Sequence, residues 1–164
     1  MKEPRVIKTT FNPPPEDRYL EDYEEGDIYE FGPITIEENE IIKFGKTFDP
    51  QVFHTDPIKA KDTIYGGLIA SGWHTTSLFM RLYVDHYLPV AASLGSPGVD
   101  ELRWIKPVRP GDSLTLRITV RKVKPSTTKP DRGVLFSFCE MVNQDQVVVS
   151  TLTALNLIRY RGGF

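Results

Sequence analysis

Residues 68–88 read LIASGWHTTSLFMRLYVDHYL, and this stretch decides the fold. Apolar side chains at Leu68, Ile69, Leu78, Phe79, Leu82 and Tyr83 fill most of two faces of a helix, and Pro89 marks its end. A helix apolar almost all round is normally enclosed by the rest of its domain. The period then changes. Residues 113–121, SLTLRITVR, alternate strictly, with Leu114, Leu116, Ile118 and Val120 on one side and Thr115, Arg117, Thr119 and Arg121 on the other. That pattern is a half-buried antiparallel strand. Residues 98–106, 134–142 and 147–158 read as further strands, the last two joined around Asn143-Gln144-Asp145. Upstream, residues 27–36 form a strand kinked at Gly32-Pro33. Thr35-Ile36-Glu37-Glu38 has the form of a capping box and opens a helix over about 37–48, which stops before Pro50. One strand, one long buried helix and four consecutive strands predict an α+β fold, an antiparallel sheet wrapped around a central helix.

The chain of 164 residues suits one domain, and 26% charged with 40% hydrophobic residues is ordinary globular composition. A net charge of −2 excludes the strongly basic surface that nucleic-acid binding needs. No apolar run is long enough to span a membrane. The opening residues lack the apolar core of a signal peptide, and Cys139 is the single cysteine, so a cytoplasmic setting is expected. Cys139 lies in a strand-like run and reads as a small packed residue. Residues 1–25, with Pro13-Pro14-Pro15 followed by acidic side chains, read as an extended arm on the body of the domain or on a partner. Residues 26–164 form the domain.

Two segments carry candidate chemistry. The first is Phe48-Asp49-Pro50-Gln51-Val52-Phe53-His54-Thr55-Asp56-Pro57, a proline-bounded loop after a helix with a carboxylate and an imidazole. Spacing alone leaves two readings open: a pair that converges on one small molecule, or a helix-terminating aspartate beside an unrelated histidine. The second is Tyr65-Gly66-Gly67-Leu68-Ile69-Ala70-Ser71-Gly72-Trp73. Small residues at a helix start allow close approach, and the free N–H groups there favour negative charge on a ligand oxygen. Close packing of helix on sheet accounts for them equally well. His74 reads as a buried, locally bonded structural residue and His86 as a helix-end surface residue. No histidine, cysteine or carboxylate spacing matches a metal site.

Together the two segments resemble the MaoC-like dehydratase family, the (R)-specific enoyl-CoA hydratases of hot-dog fold. That family joins an Asp-x-x-x-x-His loop to a small-residue helix start. A later match is Leu102-Arg103-Trp104-Ile105-Lys106-Pro107-Val108-Arg109-Pro110-Gly111-Asp112, a strand running into a proline-valine turn and then Gly-Asp. The resemblance covers about residues 20–160. Two departures stand out: Gln51 where the family often has asparagine, and Ser71-Gly72-Trp73 where it often has His-Gly-Met. Trp73, bulkier than methionine, is expected to narrow the acyl pocket.

The resemblance implies reversible addition of water across the 2,3 double bond of an enoyl thioester. Asp49 and His54 are the implied catalytic pair. Gly72, with Ser71, is implied at the thioester carbonyl, and Gln51, Tyr65, Gly67 and Trp73 at the substrate pocket. The substrate is carried on coenzyme A or an acyl carrier, no separate cofactor is implied, and a homodimer or larger homo-oligomer is expected. Basic residues Arg103, Lys106, Arg109, Arg117 and Arg121 are candidates for the anionic end of coenzyme A. The competing readings are a thioester hydrolase on the same fold and a non-catalytic subunit that binds acyl thioesters.

Overall fold

Strict alternation after residue 113 builds a long strand, β4 (Ser113–Pro125). Its inward residues Leu114, Leu116, Ile118 and Val120 are buried, and Arg117 and Arg121 on the other face are not. A computed structural model describes residues 6–163. The other strands are β1 (Ile7–Lys8), β2 (Ile28–Thr35), β3 (Gly98–Trp104), β5 (Arg132–Val142) and β6 (Val148–Arg159). They form one six-stranded sheet in the order β1-β2-β4-β5-β6-β3. All neighbours are antiparallel except β1, which runs parallel to β2. The fold is that of a hot-dog domain, α+β, with one strand more than the sequence pattern announces. β5 and β6 are joined by a turn in which the Asn143 side-chain oxygen accepts from the Asp145 and Val147 N–H groups.

The helices are α1 (Glu38–Phe48), α2 (Val52–Thr55) and α3 (Gly72–His86). The cap of α1 is displaced from the expected place. Glu37 and Glu40 form the capping box, because Thr35 is the last residue of β2 and its hydroxyl is bonded to Ser113 across the sheet. Helix α3 starts four residues later than the apolar run, since residues 68–71 are outside any helix. It lies on the sheet through Phe79, Leu82 and Tyr83, with the Tyr83 hydroxyl donating to Asn156 of β6. Its enclosure is one-sided. Trp73, Met80 and Val84 form an exposed apolar stripe on the opposite face.

Residues 6–25 lie on the body of the domain and contribute Phe11, Leu20 and Tyr23 to the core. Arg18 is 2% exposed and, among the described residues, has no carboxylate on its guanidinium. Its five N–H bonds go instead to the carbonyls of Phe11, Pro13, His86 and Tyr87. Two of these carbonyls lie at the C-terminal end of α3, where helical C=O groups lack partners and the dipole favours a cation. The arm thus caps the central helix.

Candidate active site

α1 ends at Phe48, and Asp49 follows with non-helical backbone before the turn of α2. Within the turn the Gln51 N–H donates to the Asp49 carbonyl at 2.8 Å, and the His54 N–H donates to the Gln51 carbonyl at 2.9 Å. The chain therefore doubles back over five residues, and the Asp49 and His54 side chains meet. His54 Nε2 lies 3.2 Å from Asp49 Oδ2. Close approach of α1 and α2 makes this possible. A methyl group at Gly45 would lie 2.6 Å from the His54 carbonyl oxygen.

Each member of the pair is held from behind. His54 Nδ1 is 2.8 Å from the Ile69 carbonyl oxygen. A carbonyl only accepts, so Nδ1 carries a hydrogen and the ring presents Nε2 to Asp49. Asp49 Oδ1 accepts from Gln51 Nε2 at 2.8 Å, and Oδ2 accepts from the Ser71 hydroxyl at 2.7 Å. Partial burial works to raise the Asp49 pKa. The Gln51 and Ser71 hydrogen bonds and the facing imidazole outweigh it and hold the carboxyl below its ordinary value. A carboxylate oxygen and an imidazole nitrogen at this distance can share a proton, or together engage a bound water or hydroxyl.

The pair opens onto a cavity of about 630 Å³. Phe53, Tyr65 and Ile69 line it beside the pair, Gly72, Trp73 and Thr75 line it from α3, and Trp104 to Val108 line it from the end of β3 and the turn after it. Gly72 is the first residue of α3, where helix N–H groups have no intrahelical acceptor. Asp49, His54, Gln51, Tyr65, Gly72 and Trp73 thus share one cavity. Two expected members do not line it. Ser71 is buried, and its hydroxyl serves Asp49 rather than a substrate carbonyl, because Oγ is taken up between the carboxylate and the Trp73 N–H. Gly67 faces a separate groove, 3.4 Å (from an added Cβ) from the Arg109 guanidinium.

The loop from 65 to 71 is fixed by the turn after β3. Arg109 donates to the carbonyls of Tyr65 and Leu68, Ala70 N–H donates to the Val108 carbonyl, and Asp112 accepts from the Arg109 N–H. Of the basic residues considered for an anionic ligand, Arg109 is engaged here, Arg117 pairs with Glu30 at 2.6 Å, and Arg121 lies over the Phe138 ring. Lys106 lines the cavity. His74 is buried and stacked face to face on Phe44, with Nδ1 unbonded among the described residues. Local bonding was expected of it, but the ring stack occupies that role. His86 stacks on Phe31, and Cys139 is fully packed, its thiol pushed up by burial.

The family model described as MaoC like domain matches residues 23–135. The chain belongs to that family. A MaoC-like dehydratase from Rhodospirillum rubrum is 39% identical and superposes with a TM-score of 0.82, over 88% of this chain and 98% of that one. An Archaeoglobus structure titled monoamine oxidase regulatory protein is 26% identical, with a TM-score of 0.78 over 96% of this chain and 98% of that one. An unliganded (R)-hydratase from Pseudomonas aeruginosa shares the fold at 22% identity, with a TM-score of 0.70 over 87% of this chain and 86% of that one. Within this MaoC-like chain, the Gln51 bond to Asp49 and the Trp104 ring over α3 are site features that residue spacing did not announce. The polar side chain two positions after Asp49 was the available signal for the first. No helix among the described residues is long and apolar enough to cross a membrane.

Proposed function

We propose that this protein is a hydro-lyase that adds water reversibly to a 2-enoyl thioester, giving a 3-hydroxyacyl thioester of R configuration. The observation that carries the proposal is the 3.2 Å approach of His54 Nε2 to Asp49 Oδ2 at the wall of a cavity that also contains Gly72. The thioester carbonyl oxygen faces the Gly72 N–H. Negative charge grows on that oxygen as water adds to C3, so a donor fixed in advance acts most strongly in the transition state, and removing one such donor typically costs about 3–4 kcal/mol.

Water binds beside the Asp49–His54 pair, within reach of both Oδ2 and Nε2. As its oxygen bonds to C3, one of its protons passes to the pair, and the pair delivers a proton to C2. The ionised Asp49 and the Nε2 lone pair supply the acceptors, and the groups return to their starting state once C2 is protonated. The two groups share one proton site, so they act as a unit. Gln51 and Ser71 keep the carboxylate ionised and oriented, and the Ile69 carbonyl keeps the imidazole in the required tautomer. Lys106 lies where the anionic part of a coenzyme A or acyl-carrier thioester enters.

The protein works as a homodimer in this reading. Strand β3 is an open sheet edge with its residues largely exposed, and Trp73 of the α3 stripe meets exposed Trp104 at the end of β3. A second copy covers both.

Incubation with crotonyl-CoA tests the proposal. Loss of enoyl absorbance with formation of (R)-3-hydroxybutyryl-CoA is the expected result. Release of free thiol without hydration identifies a thioester hydrolase instead, and binding without turnover identifies a non-catalytic subunit.

A further inference from the structure

Trp104 ends β3, yet its indole lies over the first turn of α3. A methyl group added at Gly72 would lie 2.3 Å from two of the indole carbons, so the ring lies directly on the glycine backbone. Its Nε1–H donates to Thr76 Oγ1 at 3.2 Å, and the ring meets Trp73 edge-on at 5.1 Å between centroids. Trp104 lines the cavity that holds Asp49 and His54.

Apolar interior lies behind this ring. Thr76, Phe79, Cys139, Met141 and Leu152 border a seam between α3 and the sheet that is too tight for water. The partners of Trp104 border the same seam: Thr76 through the indole hydrogen bond, and Ser150 through the pairing of β3 with β6. The indole thus lines the catalytic cavity and, through Thr76 and Ser150, adjoins the layer under α3.

We infer that Trp104 is the specificity-determining residue for acyl length, closing the pocket behind the reacting carbons and restricting the site to short-chain enoyl thioesters. This rests on the hydratase reading above. With the thioester carbonyl at the Gly72 N–H and C3 at the Asp49–His54 pair, a tail that extends toward β3 meets the indole lying on that glycine. A longer tail needs the seam, and the seam opens only when the ring is removed or swung out. The ring is 47% exposed in the subunit, so trimming it removes little packing within the subunit's own core.

The test measures kcat/KM on trans-2-enoyl-CoA esters of four, six, eight and ten carbons for the wild type, Trp104→Ala and Trp104→Phe, with thermal melts confirming folding. The wild type is expected to favour the four-carbon ester over the eight-carbon ester by at least tenfold. Trp104→Ala is expected to raise the eight-to-four ratio at least fivefold, with Trp104→Phe between. A ratio that rises less than fivefold in Trp104→Ala, or a wild type that accepts eight carbons as readily as four, overturns the inference. A wild type that hydrates none of the esters removes the hydratase reading, and this inference with it.

Discussion

The Nδ1–H of His54 donates to the Ile69 carbonyl oxygen at 2.8 Å, tying the first candidate segment to the second. Ser71 makes the reverse tie, its hydroxyl bonded to Asp49 Oδ2 at 2.7 Å. Two segments that sequence joins only by separation are thus cross-linked through both members of the pair. The orientation of the imidazole and the charge of the carboxylate are therefore set together.

Removing the Ser71 hydroxyl moves the Asp49 titration. In Ser71→Ala one of the two hydrogen bonds that lower its pKa is gone, so the carboxyl titrates at higher pH than in the wild type. A group whose folded pKa lies below its unfolded value of about 3.9 adds stability that is complete above that pH and is lost as pH falls through the folded value. In Ser71→Ala that acid-side loss shrinks. Carboxyl NMR titration and melts below pH 5 read both effects, and an unchanged Asp49 titration contradicts the assignment.

His74 gives the opposite kind of dependence. Burial lowers its pKa, with Glu40 opposing, so the unfolded chain binds the proton more readily than the folded one. Stability is therefore complete above about pH 6.5, the unfolded value, and declines as pH falls below it. His74→Phe keeps the stack on Phe44 and loses this dependence. Melts between pH 7.5 and pH 5.5 should show a smaller drop for the variant than for the wild type.

Gly45→Ala places a methyl group against the His54 backbone. Overpacking of this kind typically costs about 1–3 kcal/mol, and a displacement of about 1 Å at catalytic groups can cost about 10²-fold in rate. Urea denaturation and kcat/KM on crotonyl-CoA together check this. A variant with wild-type activity shows that the α1–α2 approach does not position His54.

Arg18→Met tests the cap on α3. The substitution leaves the carbonyls of Phe11, Pro13 and His86 without their donor and Tyr87 with only the Tyr23 hydroxyl, and the expected destabilisation is about 3 kcal/mol or more. Denaturant midpoints measure it, and a loss within error of zero sinks the capping account.

These variants also mark what sequence makes legible. Leu114 to Val120 alternate because one face of β4 is buried, so the strand is readable from period alone. The small residues before α3 and the Asp49–His54 loop are readable as two motifs. Their mutual bonds are not, because Ser71 reaches Asp49 across 22 positions and only the folded turn brings them together. Thr35 fits a capping box on paper, but sheet pairing claims its hydroxyl first. The arm hides its anchors: Phe11, Leu20 and Tyr23 are spread among prolines and acids with no period that marks them as core. Trp104 reads as a strand residue, and its place over Gly72 follows from how β3 and α3 approach.

The most direct measurement is kcat/KM for crotonyl-CoA hydration by Asp49→Asn, His54→Ala and the double variant, with thermal melts alongside. General acid–base groups contribute about 10²–10⁴-fold, so each single change should cost at least about 10²-fold. The double variant should be little worse than the poorer single, because the two groups act on one proton. Turnover near the wild-type value in either folded single variant contradicts the account.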